Sequence, residues 1–97
     1  MILLMRNFGE KLDSRPAGRE AWLAMQPRLR EISPEEKMTL DFDGVLLLTP
    51  SFADEFVTRL LTEYPQRVIL KSTNRNVTVQ KTLEFLRETW ERKPDMQ

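Results

Sequence analysis

The chain contains no cysteine and no histidine among its 97 residues. Without cysteine it can form no disulfide and offers no thiolate nucleophile. Without histidine it lacks the side chain that most often acts as a general base and most often binds a transition metal. Only three glycines are present, so there is no glycine-rich loop of the kind that cradles phosphates. The sequence therefore predicts a protein that is not an enzyme, with no catalytic residue, no metal and no cofactor.

An excess of charge is also absent, because 15 lysines and arginines balance 15 aspartates and glutamates. Proteins that bind nucleic acid without sequence preference usually carry a clear basic excess, so this balance argues against nucleic acid as a partner. The apolar start, residues 1–5, is shorter than the roughly 20 residues of a membrane-spanning helix. It is also shorter than the apolar core of a signal peptide, about 7–15 residues. We expect a cytoplasmic protein with no membrane partner.

The spacing of apolar residues predicts three strands that alternate with three helices. The strands are expected at residues 1–5, 38–42 and 67–71, and the helices begin near Ser14, Ser51 and Val77. The run Val68-Ile69-Leu70 suggests a strand buried on both faces. Strands that alternate with helices imply right-handed crossovers and a mainly parallel sheet. The expected fold is a small α/β layer fold of order β-α-β-α-β-α.

The length fits one domain. We expect this domain to span residues 1–92 and the tail 93–97 to be frayed.

Serine and proline mark the expected helix boundaries. Ser14 is an expected N-cap, and Pro27 is expected to kink the first helix or end it early. Ser51 is also an expected N-cap, and the acidic pair 54–55 in the first turn resembles a capping box.

The stretch from Leu40 to Phe56 is the most informative about function. Ligands and partners of open parallel sheets meet the loops at the carboxyl ends of the strands, and Asp41 and Asp43 lie at such an end. The two aspartates could form a carboxylate pair, although turn residues are the simpler reading. Ser51 lies at a helix start, where a phosphate would be partly compensated by the helix dipole. It is therefore a helix cap, a regulatory phosphosite, or both.

This stretch resembles the STAS domains of sulphate transporters and anti-sigma factor antagonists, and more closely the STAS-like domain of unknown function. The resemblance covers roughly residues 8–88. Its motifs are the strand Leu40-Asp41-Phe42, the step Gly44-Val45, the helix opening Ser51-Phe52-Ala53-Asp54-Glu55 and the upstream pair Ser14-Arg15. The resemblance implies a STAS-like fold.

The resemblance also implies a regulatory role. In the antagonists, the serine that aligns with Ser51 is phosphorylated by a histidine-kinase-like ATPase, and phosphorylation releases the partner. Thr49 and Pro50 stand here where the antagonists have aspartate and serine, and Phe52 stands in place of glycine.

We therefore expect a non-enzymatic protein-interaction or regulatory module with its contact surface at the start of the second helix. The candidate contact residues are Asp41, Asp43, Thr49, Ser51, Phe52 and Asp54. The alternatives are a self-associating structural domain and a small-ligand or nucleotide binder.

Residues outside this stretch form a second group of candidates. They are Ser14, Arg15, Arg19, Asn74, Arg75 and Trp90. The arginines could bind an anion, although a solvated surface is the simpler reading. Asn74 and Arg75 would lie in a loop at the same sheet edge. Trp90 is most simply a core residue, but it could instead be an exposed anchor for a partner or for a second copy in a homodimer.

Overall fold

The computed structural model describes residues 1–97 and contains six strands and four α-helices. The strands are β1 (Ile2–Leu4), β2 (Lys11–Leu12), β3 (Met38–Asp41), β4 (Leu47–Leu48), β5 (Val68–Lys71) and β6 (Asp95–Met96). The helices are α1 (Arg15–Glu31), α2 (Pro50–Ala53), α3 (Arg59–Glu63) and α4 (Val77–Arg87). A 3₁₀-helix spans Met5–Phe8. A π-helix over Asp54–Thr58 joins α2 to α3, and we call the continuous segment the 50–63 helix.

The main sheet has the strand order β1-β3-β5-β6, and every pair in it is parallel. This confirms the predicted α/β fold with a mainly parallel sheet. The order advances in one direction along the chain, so right-handed crossovers carry α1, the 50–63 helix and α4 to the same side of the sheet. The short strands β2 and β4 pair in a separate two-stranded sheet. No helix combines the length and the apolar character needed to cross a membrane.

Only one face of the main sheet is covered. Side chains on that face are buried, as Leu40 and Leu70 show, and they belong to a core of 23 buried apolar residues. On the opposite face Ile69 is only partly buried. The expectation that this strand is buried on both faces is therefore wrong, because no helix reaches its second face.

The first helix begins where the sequence predicts. The Ala17 backbone N–H donates to the Ser14 hydroxyl at 3.1 Å, which makes Ser14 the N-cap. The helix does not end early at Pro27, however, and continues to Glu31. Met25 and Leu29, each 4% exposed, hold this end of the helix against the core. Their packing outweighs the hydrogen bond that proline removes.

The chain end, expected to be frayed, instead supplies strand β6. The Gln97 backbone N–H donates to the Leu70 carbonyl at 2.7 Å, and the Thr73 N–H donates to the Gln97 carbonyl at 2.9 Å. These two bonds attach the chain end to the edge of the sheet beside β5.

A glycine sets the distance between α1 and the 50–63 helix. A Cβ atom added to Gly18 would lie 2.9 Å from the Phe52 carbonyl oxygen and 3.0 Å from the Glu55 Cβ. The two backbones therefore approach more closely than any larger residue allows. Below this contact, Trp22 meets Phe56 edge to face with 6.3 Å between the ring centroids.

We predict that Gly18→Ala destabilises the protein. In an open helix interior this change stabilises by about 1 kcal/mol. Here the crowding of a packed contact costs about 1–3 kcal/mol, so the free energy of unfolding is expected to fall by up to about 2 kcal/mol. Urea denaturation measures this change. Glu20→Ala, at an exposed position of the same helix, is the control. A Gly18→Ala variant more stable than the wild type would contradict the close approach.

Candidate functional site

The 50–63 helix begins at Pro50, and its N-cap is Thr49. The Phe52 backbone N–H donates to the Thr49 hydroxyl at 3.4 Å. Pro50, whose φ suits a helix and which has no N–H to satisfy, occupies the first helical position. The prediction that Ser51 is the N-cap is therefore wrong, because the helix has already begun when the chain reaches it. The capping box predicted for Ser51 and Asp54 is absent for the same reason.

Ser51 is exposed, and its hydroxyl makes no hydrogen bond within the chain. It lies one turn before Asp54 and Glu55, on the same side of the helix. Phe52 points the other way: it is 1% exposed and stacks on Phe56 with 6.2 Å between centroids. Phe52 is thus a core residue, and the accessible side chains at this helix start are those of Ser51 and its acidic neighbours.

Glu55 is the centre of an ion-pair cluster that joins α1 to the 50–63 helix. Its carboxylate accepts hydrogen bonds from Arg15 at 2.9 Å and from Arg59 at 3.2 Å. The Nε atom of Arg19 lies 3.6 Å away. Arg15 also donates to Asp54 at 3.2 Å. The Glu55 side chain is only 12% exposed, so its charge is enclosed by the cations around it.

The surroundings of Glu55 set its charge state. The hydrogen bond from Arg15 lowers the pKa of Glu55, and Arg19 and Arg59 lower it further, although partial burial acts in the opposite direction. The Glu55 carboxylate in turn raises the pKa of Arg15, with a smaller contribution from Asp54. Arg15 and Arg19 therefore contact the 50–63 helix. Their positive charges already face carboxylates of the same chain.

The aspartates at the carboxyl end of β3 are parts of a turn. The Asp43 backbone N–H donates to the Asp41 carboxylate at 3.0 Å, which closes a local loop typical of aspartate. The Asp43 carboxylate accepts from Arg75 at 3.2 Å and from Arg6 at 3.5 Å. The arrangement supports the turn interpretation, because each carboxylate has its own partners.

Asp41 is held in its ionised form. Partial burial would raise the pKa of Asp41, but the Asp43 N–H, the Ser72 hydroxyl, Lys71 and Arg6 together lower it below its ordinary value. A carboxyl group that stays charged at neutral pH is a poor proton donor, so Asp41 is unsuited to general acid catalysis.

Of the remaining candidates, Asn74 has no structural hydrogen bond through its side chain, whereas Trp90 serves the fold. Asn74 is exposed and makes no hydrogen bond through its side chain, while the neighbouring Asn76 caps α4 by accepting from the Thr78 and Val79 N–H groups. Trp90 is 5% exposed, and its indole N–H donates to the Thr58 hydroxyl at 2.8 Å. This confirms the prediction that Trp90 is a core residue, and the alternative that it is an exposed anchor is wrong.

The structure places the charged candidate residues in two clusters. One cluster surrounds Glu55 at the start of the 50–63 helix, and the other surrounds Asp43 at the carboxyl edge of the sheet. No hydrogen bond or ion pair connects them. Sequence reasoning missed Arg6 and Arg59. Arg59 follows Glu55 by four residues, a spacing that predicts a helical ion pair, whereas nothing local in the sequence marks Arg6.

We predict that Glu55 stabilises the protein in a pH-dependent way. Because its pKa is lowered in the folded state, its contribution is complete above the unfolded pKa of about 4.3 and is lost as the pH falls through the folded value. Glu55→Gln should therefore be less stable than the wild type at pH 7, and this difference should shrink as the pH falls below about 4.3. Urea denaturation at a series of pH values measures it.

Glu20→Gln provides the matched control, since Glu20 is exposed and makes no ion pair. A Glu55→Gln deficit that stays constant between pH 7 and strong acid would contradict the assigned ion pairs.

The chain was compared with known proteins. No curated protein and no solved structure was found to match it. The family model of the STAS-like domain of unknown function (DUF4325) matches residues 27–80, more than half of the chain. The match contains the Asp43 turn and the 50–63 helix but not Arg15 or Arg19. The chain belongs to the family of STAS-like domains of unknown function.

Proposed function

We propose that this chain is a non-enzymatic protein-interaction module with its contact surface at the start of the 50–63 helix. The observation that carries the proposal is the exposed Ser51 hydroxyl, which has no structural task. Thr49 provides the cap and Pro50 opens the helix, so Ser51 is available to a partner protein or to modification.

The charges near Ser51 favour a regulatory use of this surface. A phosphate on Ser51 would add about 1.5–2 negative charges. The amino end of the helix partly compensates such a charge, so the fold would tolerate it. Asp54 and Glu55 lie on the same side one turn later and are already paired with Arg15, Arg19 and Arg59, so the phosphate would shift the net charge of this surface towards negative. A partner that fits the unmodified surface would then be repelled.

A histidine-kinase-like ATPase is the proposed partner, on the resemblance to anti-sigma factor antagonists. The chain departs from the antagonists at Thr49, Pro50 and Phe52. Phe52 is buried, so its replacement of a glycine alters the core rather than the accessible surface. Thr49 and Pro50 lie at the start of the helix, directly before Ser51, where a kinase would contact the residues that precede the serine. The kinase is therefore expected to differ from those of the antagonists in its recognition of these two positions.

The absence of a catalytic set supports a binding role over an enzymatic one. The Ser51 hydroxyl has no base within hydrogen-bonding distance, and a serine nucleophile requires one. Asp41 is bound in its turn, and Glu55 is bound by arginines.

A small-ligand or nucleotide site has less support. Arg15, Arg19 and Arg75, the cations considered for it, each face a carboxylate of the chain itself.

An affinity pull-down from native cytoplasm, read by mass spectrometry, tests the proposal. Wild type and Ser51→Ala should retrieve the same partner, because alanine keeps the uncharged surface. Ser51→Glu should retrieve at least about tenfold less of it, since an added charge at a contact weakens binding by an amount of this order.

Ser33→Glu is the matched control, because Ser33 is also exposed but lies in a loop outside the 50–63 helix. Equal retrieval by Ser51→Glu and wild type, or loss of the partner with Ser33→Glu as well, would count against a contact surface at Ser51.

A further inference from the structure

One face of the main sheet has no covering layer. The side chains on this face, which we call the bare face, are Ile2, Leu4, Thr39, Asp41, Ile69, Lys71 and Asp95. Ile2 is 64% exposed, although it lies in a strand. Parallel sheets almost always have both faces covered, so this bare face departs from the usual architecture.

The two edges of the sheet differ in their protection. Strand β6 is preceded by Pro94 and contains the exposed Asp95, and proline and charge are the usual means of blocking a free edge. Strand β1, at the other edge, reads Ile2-Leu3-Leu4 and contains neither. Its outer side therefore has no residue that would discourage pairing with another strand.

Backbone groups are available along the β1 edge. The Thr39 N–H donates to the Met1 carbonyl at 2.8 Å, and Thr39 is opposite Ile2 in the parallel register. In a parallel ladder this places the N–H and the C=O of Ile2 on the side away from β3. These groups can be satisfied by a neighbouring strand without disturbing the existing sheet.

We propose that a second copy of this chain pairs with the β1 edge in antiparallel orientation, about a twofold axis at Leu3. This pairing sets Ile2 of each copy opposite Leu4 of the other, and both side chains lie on the bare face. Apolar cross-strand pairs of this kind stabilise antiparallel pairing. The four-stranded sheet thereby becomes an eight-stranded sheet, and the exposed Ile2 gains an apolar neighbour.

The charges at the ends of β1 favour a second copy as the occupant. The Glu36 carboxylate lies at the amino end of the strand, 2.9 Å from the Met1 amino nitrogen. Arg6, with its side chain 48% exposed and 3.5 Å from the Asp43 carboxylate of the same copy, lies two residues beyond the carboxyl end. In the antiparallel arrangement Arg6 of each copy approaches Glu36 of the other. A twofold contact repeats every interaction, so the edge is complementary to itself in both apolar character and charge.

The contact is small, because β1 has only three residues. Interfaces at the low end of the size range form weak, reversible complexes. We therefore expect a dimer whose population rises with protein concentration.

Sedimentation velocity from about 10 μM to about 1 mM spans the concentrations at which a weak dimer forms. The wild type should shift from monomer towards dimer across this range. Ile2→Lys should raise the dissociation constant at least about tenfold, since it removes two cross-strand pairs and places charge on the edge. Phe85→Lys is the matched control, because Phe85 is also 64% exposed and lies on α4. Equal thermal stability of the two lysine variants shows that both are folded.

A charge exchange tests the orientation. Arg6→Glu and Glu36→Arg should each weaken the dimer, and the double variant should restore it, because the two charges change places. A wild type that stays monomeric throughout would overturn the proposal. So would a dimer that is insensitive to Ile2→Lys, or a double variant that is weaker than both single variants.

Discussion

The close contact at Gly18 is the constraint on which the rest of the site depends. The hydrogen atom at this position lets α1 lie directly against the Phe52 backbone. This proximity brings Arg15 and Arg19 of one helix to Glu55 of the other. Beneath it, the aromatic rings fill the space between the helices and the sheet. The ion pairs are therefore a consequence of backbone packing, and they fix how the two helices are oriented once packing has brought them together.

The identity of one capping residue decides how the helix start is interpreted. A serine that caps a helix is occupied, and its modification would remove the cap. Thr49 is the cap of this helix, so a change at Ser51 alters the surface without removing the capping hydrogen bond. Under the proposed function, a change of charge at Ser51 would act on a partner and leave the helix intact.

Local signals in the sequence were sufficient for the order of the three longer strands and the three main helical segments, because the apolar spacing of β3, β5 and the helices is regular. They were also sufficient for the Ser14 cap. They were ambiguous at Thr49 and Ser51, where Pro50 at the first helical position is the feature that decides. Contacts between distant segments could not be predicted from local signals. The indole N–H of Trp90 donates to the Thr58 hydroxyl, and Arg15 donates to a glutamate 40 residues away. Strands of two residues, such as β6, have no periodicity that could reveal them.

The π-helix Asp54–Thr58 has a consequence for how this chain is aligned with its relatives. A π-helical turn corresponds to one residue inserted into an α-helix, and one residue rotates a helix by about 100°. The half that carries Ser51 and the half that carries Leu60 are therefore out of phase by one position. An alignment counted backwards from Leu60 against a purely α-helical relative would place the wrong residue opposite its serine. A one-residue gap between positions 54 and 58 restores the correspondence.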